Sequence, residues 1–139
     1  MLFLNKIVYT LVILRFKHNF FLKIWFLLLK ISILSSAQCH LQEAVRLAHE
    51  WLPQLCYGHI ETSLKLCCDV ISSGYPDSPQ IWKTMADALA LSENFHLENL
   101  ELKVPALLVS KTEDVKVTRE DVLTLSLSCF CKVVRISTD

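Results

Sequence analysis

The sequence predicts an all-α fold, in which antiparallel helical hairpins form a slice of an α-solenoid and an apolar N-terminal helical segment precedes them. Two observations predict it. The 139 residues include only two Gly and four Pro, which is too few for the many tight turns of an all-β sandwich. After residue 39, apolar residues recur at intervals of three and four, as amphipathic helices require. Short turns between these stretches are typical of helical hairpins in bundles and solenoids.

The distribution of charge divides the chain at about residue 38. Residues 1–38 carry five Lys or Arg and no acidic residue, whereas residues 39–139 carry all fourteen acids and nine bases. The net charge of zero therefore averages a basic segment and an acidic one. We interpret residues 1–38 as a hydrophobic, basic leader and residues 39–139 as a helical, solenoid-like body.

Three interpretations of the leader remain open. It contains no long uncharged stretch, because Arg15, Lys17 and Lys23 interrupt its apolar runs, so a regular transmembrane helix is not expected. Residues 1–34 could instead contact a membrane or act as a signal-like segment, since small residues at 35–37 resemble a cleavage site. A non-native start, in which translated noncoding sequence replaces the natural N terminus, and ordinary buried helices are the other two interpretations.

The body begins with two predicted helices. The first starts at Leu41 and ends near Leu52, because Pro53 interrupts its apolar spacing. The second covers residues 60–73 and ends at Gly74, a natural C-terminal cap. Its predicted inner face consists of Ile60, Leu64, Cys67, Cys68 and Ile71. Residues 75–77, Tyr-Pro-Asp, then form a turn.

Three further segments follow. Ser78 and Pro79 are a cap and a first helical residue for a third helix, which is expected to end at residues 92–94. Its apolar stripe is predicted to consist of Ile81, Met85, Ala88 and Leu89. A fourth helix is predicted over residues 97–109, although it contains a proline, and residues 111–116 are polar and predicted to be a loop. Thr118 and Asp121 resemble a capping box, with Asp in place of the preferred Glu, and precede the run of residues 122–134. This run also alternates like a strand, but no partner strand is evident, so we predict a helix there.

Three aromatic residues are candidate interaction or core anchors: Trp51, Trp82 and Tyr75. Tryptophan is enriched at binding hot spots. Because Trp51 and Trp82 each lie on an amphipathic stretch, packing in the core is the favoured interpretation of both.

The sequence predicts no catalytic, cofactor-binding or metal-binding residue. His49, Cys56 and His59 could form a metal or Cys–His catalytic group, but no third ligand or orienting acid stands out, so structural roles are favoured. The six cysteines lie in apolar, periodic runs and lack CxxC spacing, which indicates reduced, structural thiols in a cytosolic setting. An acidic body also argues against a nucleic-acid partner.

The central part of the body resembles a known family. The resemblance covers about 40 residues and depends on the order in which these residues follow one another: Cys67-Cys68-Asp69-Val70, Ser73-Gly74-Tyr75, Ser78, Trp82, Leu91-Ser92-Glu93, Leu97 and Leu100. This stretch resembles the α-solenoid domain of the neuroblastoma-amplified sequence family, whose members are subunits of the tethering complex at the endoplasmic reticulum. The related kinetochore-associated solenoid proteins of the Rough deal type are a second resemblance.

The resemblance implies a function without catalysis. It implies a cytoplasmic scaffold, peripheral at the endoplasmic reticulum membrane, that takes part in Golgi-to-ER retrograde vesicle transport and contacts tether subunits and SNAREs. It carries over no catalytic residue and no cofactor. A small membrane-associated or secreted helical protein with a signal-like N terminus is the alternative, and a kinetochore scaffold is another.

Overall fold

The computed structural model describes residues 2–74, 78–93 and 102–138. The protein is mostly helical (85%), and this described part contains five helices and one small sheet, which confirms the predicted helical class. The elements in chain order are α1 (Leu2–His49), α2 (Pro53–Ser72), α3 (Pro79–Glu93), β1 (Leu102–Val104), α4 (Ala106–Val109), β2 (Val115–Val117) and α5 (Arg119–Thr138).

Contacts along the chain define two units, Met1–Ser32 and Ile33–Asp139. The boundary in composition at residue 38 lies six residues later, inside α1. The first unit consists of the leading part of α1. The second unit holds the remainder of α1 and all the other elements.

Within the second unit, α1 and α2 form an antiparallel hairpin. Later residues of α1 contact earlier residues of α2, as antiparallel helices require. The side-chain contacts between them are Ser63 Oγ to Ala37 O at 2.9 Å, His40 Nδ1 to His59 Nδ1 at 2.9 Å and Cys56 Sγ to Ala44 O at 3.2 Å. Ala37 and Ala44 are fully buried, and their small side chains let the two backbones approach closely.

Pro53 separates the two helices of this hairpin, as the sequence predicts, but the predicted helix start at Leu41 is wrong because α1 already begins at Leu2. It also occupies the first turn of α2, where the missing N–H has no cost because that position needs no intrahelical donor. The predicted start at residue 60 is therefore seven residues late. The predicted inner face is confirmed, since Ile60, Leu64 and Cys67 are fully buried.

The second hairpin, α2–α3, is also antiparallel. Tyr57, near the start of α2, donates its hydroxyl to the carbonyl of Ser92 at the end of α3, at 3.0 Å. Gly74 adopts φ +84° after α2, the left-handed conformation expected of a helix-terminating glycine. The predicted start of α3 at Pro79 and its predicted end are both confirmed.

The predicted fourth helix, Leu97–Val109, is wrong over the part that the structure describes. Residues 102–104 form β1, which pairs antiparallel with β2, and only residues 106–109 are helical. Leu102 pairs with Val117 and Val104 with Val115, so the inner side of the sheet faces the core. Pro105 disfavours helix at the residue before it, which permits the strand. The loop predicted for residues 111–116 is wrong over its last two residues, because β2 begins at Val115.

The helix predicted for residues 122–134 is confirmed as α5 and extends to Thr138. Thr118 and Asp121 were expected to act as a capping box. Their side chains instead bond each other, with the Thr118 hydroxyl donating to the Asp121 carboxylate at 3.0 Å. Ser126 donates to the carbonyl of Ala86 at 3.1 Å and so fixes α5 against α3.

One hydrophobic core connects these elements. Its largest fully buried apolar side chains come from α2, α3 and β1: Ile60, Leu64, Ile81, Met85, Leu89, Leu102, Val70 and Val104. The predicted stripe of α3 (Ile81, Met85, Ala88 and Leu89) is completely buried. The helix pair α3–α5 shares the most extensive contact in this unit.

Candidate functional site

The leading part of α1 exposes apolar side chains on every side. Twenty-one large hydrophobic side chains between residues 2 and 31 are exposed. A regular transmembrane helix was not expected, because bases interrupt the apolar runs. The helix nevertheless contains an 18-residue window with a mean hydropathy of 1.8 and at most two charged residues, so it is long and apolar enough to cross a membrane by length and composition alone. Only 11% of that window is buried, which is far less than in the core helix of a globular protein.

The bases of this segment do not form one polar face. Lys6 and Lys17 lie three helical turns apart on one side, whereas Lys23 and Lys30 lie two turns apart on another. Arg15 lies on neither side. A helix that is apolar all round is characteristic of a protein core or a membrane span, and not of an amphipathic surface helix.

Trp51 is an exposed residue in a strained backbone conformation. Its side chain is 80% exposed, so the core interpretation made from the sequence is wrong for this residue. It follows α1 with φ +56°, and its N–H bonds to Ala48 O at 3.1 Å while the N–H of Leu52 bonds to Leu47 O at 3.1 Å. These two bonds form a Schellman motif, in which glycine usually occupies the position of Trp51.

Replacing Trp51 by Gly is expected to raise the free energy of unfolding by about 1 kcal/mol. A left-handed conformation costs an L-residue roughly 1–2 kcal/mol, and the exposed indole has little buried area to lose. Urea unfolding measures the change. Trp51→Ala is the control, because alanine keeps the unfavourable conformation; an equal gain in both variants would contradict the backbone explanation.

Trp82 is half-buried and packs against the core, which confirms the core interpretation for this residue. The ammonium of Lys132 on α5 lies 4.9 Å from the indole ring centroid, a cation–π distance. The buried indole Nε1 has no hydrogen-bond partner in the described part of the chain. Tyr75, the third predicted anchor, lies outside the described residues.

A stripe of exposed apolar residues runs along α5. Leu123, Leu127, Phe130 and Val134 recur at intervals of four, three and four, and are 37–62% exposed. They are centred about 100° around α5 from its buried residues Val122, Ser126 and Cys129, on a neighbouring face of the helix. We call these four residues the α5 outer stripe. An amphipathic helix buries one face, whereas α5 presents apolar side chains on a second face as well.

The residues His49, Cys56 and His59 do not form one site. His49 is exposed, and the Cys56 thiol is buried and donates to Ala44 O. His59 instead contacts His40, nineteen residues earlier in the sequence. Sequence reasoning missed His40, because no local spacing relates residues on different helices. Among the described residues, no group of three or more His, Cys, Asp or Glu is arranged to hold a metal ion.

The cysteines fall into two classes. Cys39 and Cys131 are exposed, whereas the other four are buried, and all six are free thiols. Loss of hydration on burial raises the pKa of Cys67 and Cys68 from 9.0 to about 12, and that of Cys56 and Cys129 to about 11. The thiolate is the reactive form, so the buried cysteines are poor nucleophiles.

Alkylation at pH 8 is expected to modify Cys39 and Cys131 at least tenfold faster than the four buried cysteines. A thiol with a pKa of about 11 is ionised to about one part in a thousand at pH 8. Peptide mass spectrometry after timed iodoacetamide treatment measures the rates. Denaturant serves as the control because it should equalise them; early modification of Cys67 in the folded protein would contradict the structure.

Comparisons of this sequence with protein-family models, with curated proteins and with solved structures find no match.

Proposed function

We propose that this protein is a non-catalytic helical scaffold that works at a membrane surface. The leading part of α1 is the membrane-binding element, and the second unit supplies the surfaces for protein partners. The observation that carries the proposal is the exposure of apolar side chains around the whole circumference of residues 2–31. Such a surface is unstable in water and favourable in lipid.

The energetics of the leading helix support membrane association. Burial of each large apolar side chain contributes about 1.5–3 kcal/mol. Each base near the bilayer centre costs about 2.5–3.5 kcal/mol, and the cost falls where a long side chain reaches the interface. Twenty-one exposed large hydrophobic residues therefore outweigh the five bases.

Charge favours a cytosol-facing membrane. The leader has bases and no acids, and basic residues near a membrane interact with the anionic lipids of the cytoplasmic leaflet. The four buried cysteines are reduced, which agrees with a cytosolic position for the second unit. This location agrees with what the family resemblance implies.

The finer proposal is a role in vesicle tethering at the endoplasmic reticulum during Golgi-to-ER transport, with tether subunits and SNAREs as partners. Two observations support this role. The residues between positions 67 and 100 follow an order that resembles the tether family, and the described ones among them belong to the α2–α3 hairpin. In a solenoid, each repeat packs against its neighbours, so exposed apolar faces are expected at the ends of an isolated slice. The α5 outer stripe and Trp51 are such exposed positions.

Flotation of the full chain with lipid vesicles tests the coarse proposal, and co-purification of tether subunits from cells tests the fine one. We expect the chain to float with vesicles that contain anionic lipid, and to be recovered with tether subunits from the membrane fraction. A chain that stays at the bottom of the gradient contradicts membrane binding. Recovery from culture medium, with a cleaved N terminus and oxidised cysteines, would favour the secreted alternative.

A further inference from the structure

The two imidazole rings between α1 and α2 form a pair that the proposed function does not use. Nδ1 of His40 lies 2.9 Å from Nδ1 of His59, and the ring centroids are 5.1 Å apart with an angle of 31° between the planes. Both side chains are half-buried, so water can reach them. With neutral rings, one Nδ1 donates its proton and the other accepts it.

We propose that His40 and His59 form a chelating site for a divalent late transition metal, such as Zn²⁺ or Ni²⁺. The ion takes the place of the proton that the two nitrogens share, and the donor ring takes up a proton from water at Nε2, so that both rings stay neutral and bind through Nδ1. It is bound by two imidazole nitrogens from two helices and completes its coordination with water. Neutral imidazole is a preferred ligand of Zn, Ni and Cu.

The distance between the nitrogens fits this class of ion. Zinc–nitrogen bonds are about 2.0–2.1 Å long, so two nitrogens at a right angle on one ion lie about 2.9 Å apart, and about 3.4 Å apart in a tetrahedron. The observed 2.9 Å lies at the lower end of this range. Metal binding requires the two rings to rotate from the hydrogen-bonded geometry until both Nδ1 lone pairs point to one ion.

Nearby charge favours a cation. Glu43 lies one turn after His40 on α1, and its carboxylate bonds to Arg46. The hydrogen bond from Arg46 is the main cause of the lowered pKa of Glu43, and electrostatic interaction with His59 is a smaller one. Arg46 also pairs with Glu50, so this cluster of two acids and one base on α1 carries a net negative charge.

The position of the pair gives the metal a structural consequence. His40 and His59 belong to opposite helices of the α1–α2 hairpin, so an ion bound to both rings crosslinks that hairpin. A ligand that binds only the folded state stabilises it by mass action, and the stabilisation grows with the free metal concentration. Metal binding is thereby linked to the packing of α1 on α2, independently of membrane association.

Metal titration of the full chain tests the site. The protein is purified without a polyhistidine tag, in detergent micelles, and carries Cys39→Ser and Cys131→Ser to remove the exposed thiols. Calorimetry with Zn²⁺ or Ni²⁺ alone is expected to show one ion per chain, and Mg²⁺ is expected not to bind because it requires oxygen ligands. His40→Gln and His59→Gln should each weaken binding at least tenfold. His49→Gln, the matched control at an exposed histidine of the same helix, should change it less than twofold.

A second measurement does not depend on the variants folding. In the chain with all five histidines, substoichiometric Ni²⁺ should broaden the ring NMR signals of His40 and His59 before that of His49. Unchanged affinity in His40→Gln, equal loss in His49→Gln, or simultaneous broadening of all three rings would overturn the proposal. Retained flotation together with absent metal binding would refute the site and leave the proposed membrane function intact.

Discussion

The double substitution Phe21→Asp and Trp25→Asp is expected to reduce vesicle binding of the full chain by at least 100-fold. Both side chains are exposed on one side of the leading helix, one turn apart. The change removes the burial of two aromatic rings, worth about 1.5–3 kcal/mol each. It also introduces two carboxylates at about 2.5–3.5 kcal/mol each near the bilayer centre. Because each 1.4 kcal/mol is a factor of ten, 100-fold is a conservative expectation.

Co-flotation with vesicles of fixed anionic lipid content measures this change. The matched control is Leu123→Asp with Leu127→Asp on the α5 outer stripe, which has the same spacing, similar exposure and the same added charge. The control should float like the unaltered chain and lose recovery of protein partners, whereas the leader variant should show the reverse pattern. Equal loss of flotation in both variants would show that added charge alone, and not the leading helix, determines membrane binding.

Replacing Leu64 by Ala is expected to lower the free energy of unfolding of the second unit by about 2–5 kcal/mol. Leu64 is fully buried on α2 in the hydrophobic core. Truncation removes buried methyl groups and leaves a cavity that closely packed neighbours fill only in part. Since domains of this size are stabilised by about 5–15 kcal/mol, the loss is a large share of the total.

Urea unfolding followed by near-ultraviolet circular dichroism measures this loss, because the signal reports packed aromatic side chains. Leu127→Ala is the control, since Leu127 is 57% exposed on the α5 outer stripe and its truncation should cost about 0.5 kcal/mol or less. Similar losses for the two variants would contradict the assignment of the α2 inner face to the core.

Local signals in the sequence predicted most of the helices. Pro53, Gly74 and Pro79 mark helix ends through their own backbone geometry, which depends little on the rest of the protein. The inner faces of α2 and α3 were predicted because a period of 3.6 brings residues such as Ile81 and Met85 to one side of a helix.

The strand pair was missed because each strand has only three residues. Lys103 and Lys116 each alternate with two apolar neighbours, but such a short alternation also fits a helix. A strand of this length is stable only when its backbone groups find a partner, here across the intervening α4 and its following turn. That partner is a tertiary property, and Pro105 was the only local sign.

The candidate sites were less predictable than the helices. Trp51 was assigned to the core on its periodicity, but the helix ends two residues before it and the left-handed turn directs its side chain to solvent. The pairing of His40 with His59 has no signal in the sequence, because it depends on how α2 folds back along α1.

The sequence by itself determined the helical class, the helix ends marked by Pro53, Gly74 and Pro79, and the asymmetry between a basic, apolar leader and an acidic body, since composition, periodicity and backbone preference are local properties. Only the tertiary structure decided which outer faces stay uncovered and which distant residues meet: the exposed α5 outer stripe, the outward Trp51 and the histidine pair. The physical reason is that burial and contact between helices depend on how the chain folds back on itself, which the spacing of residues along one helix does not specify.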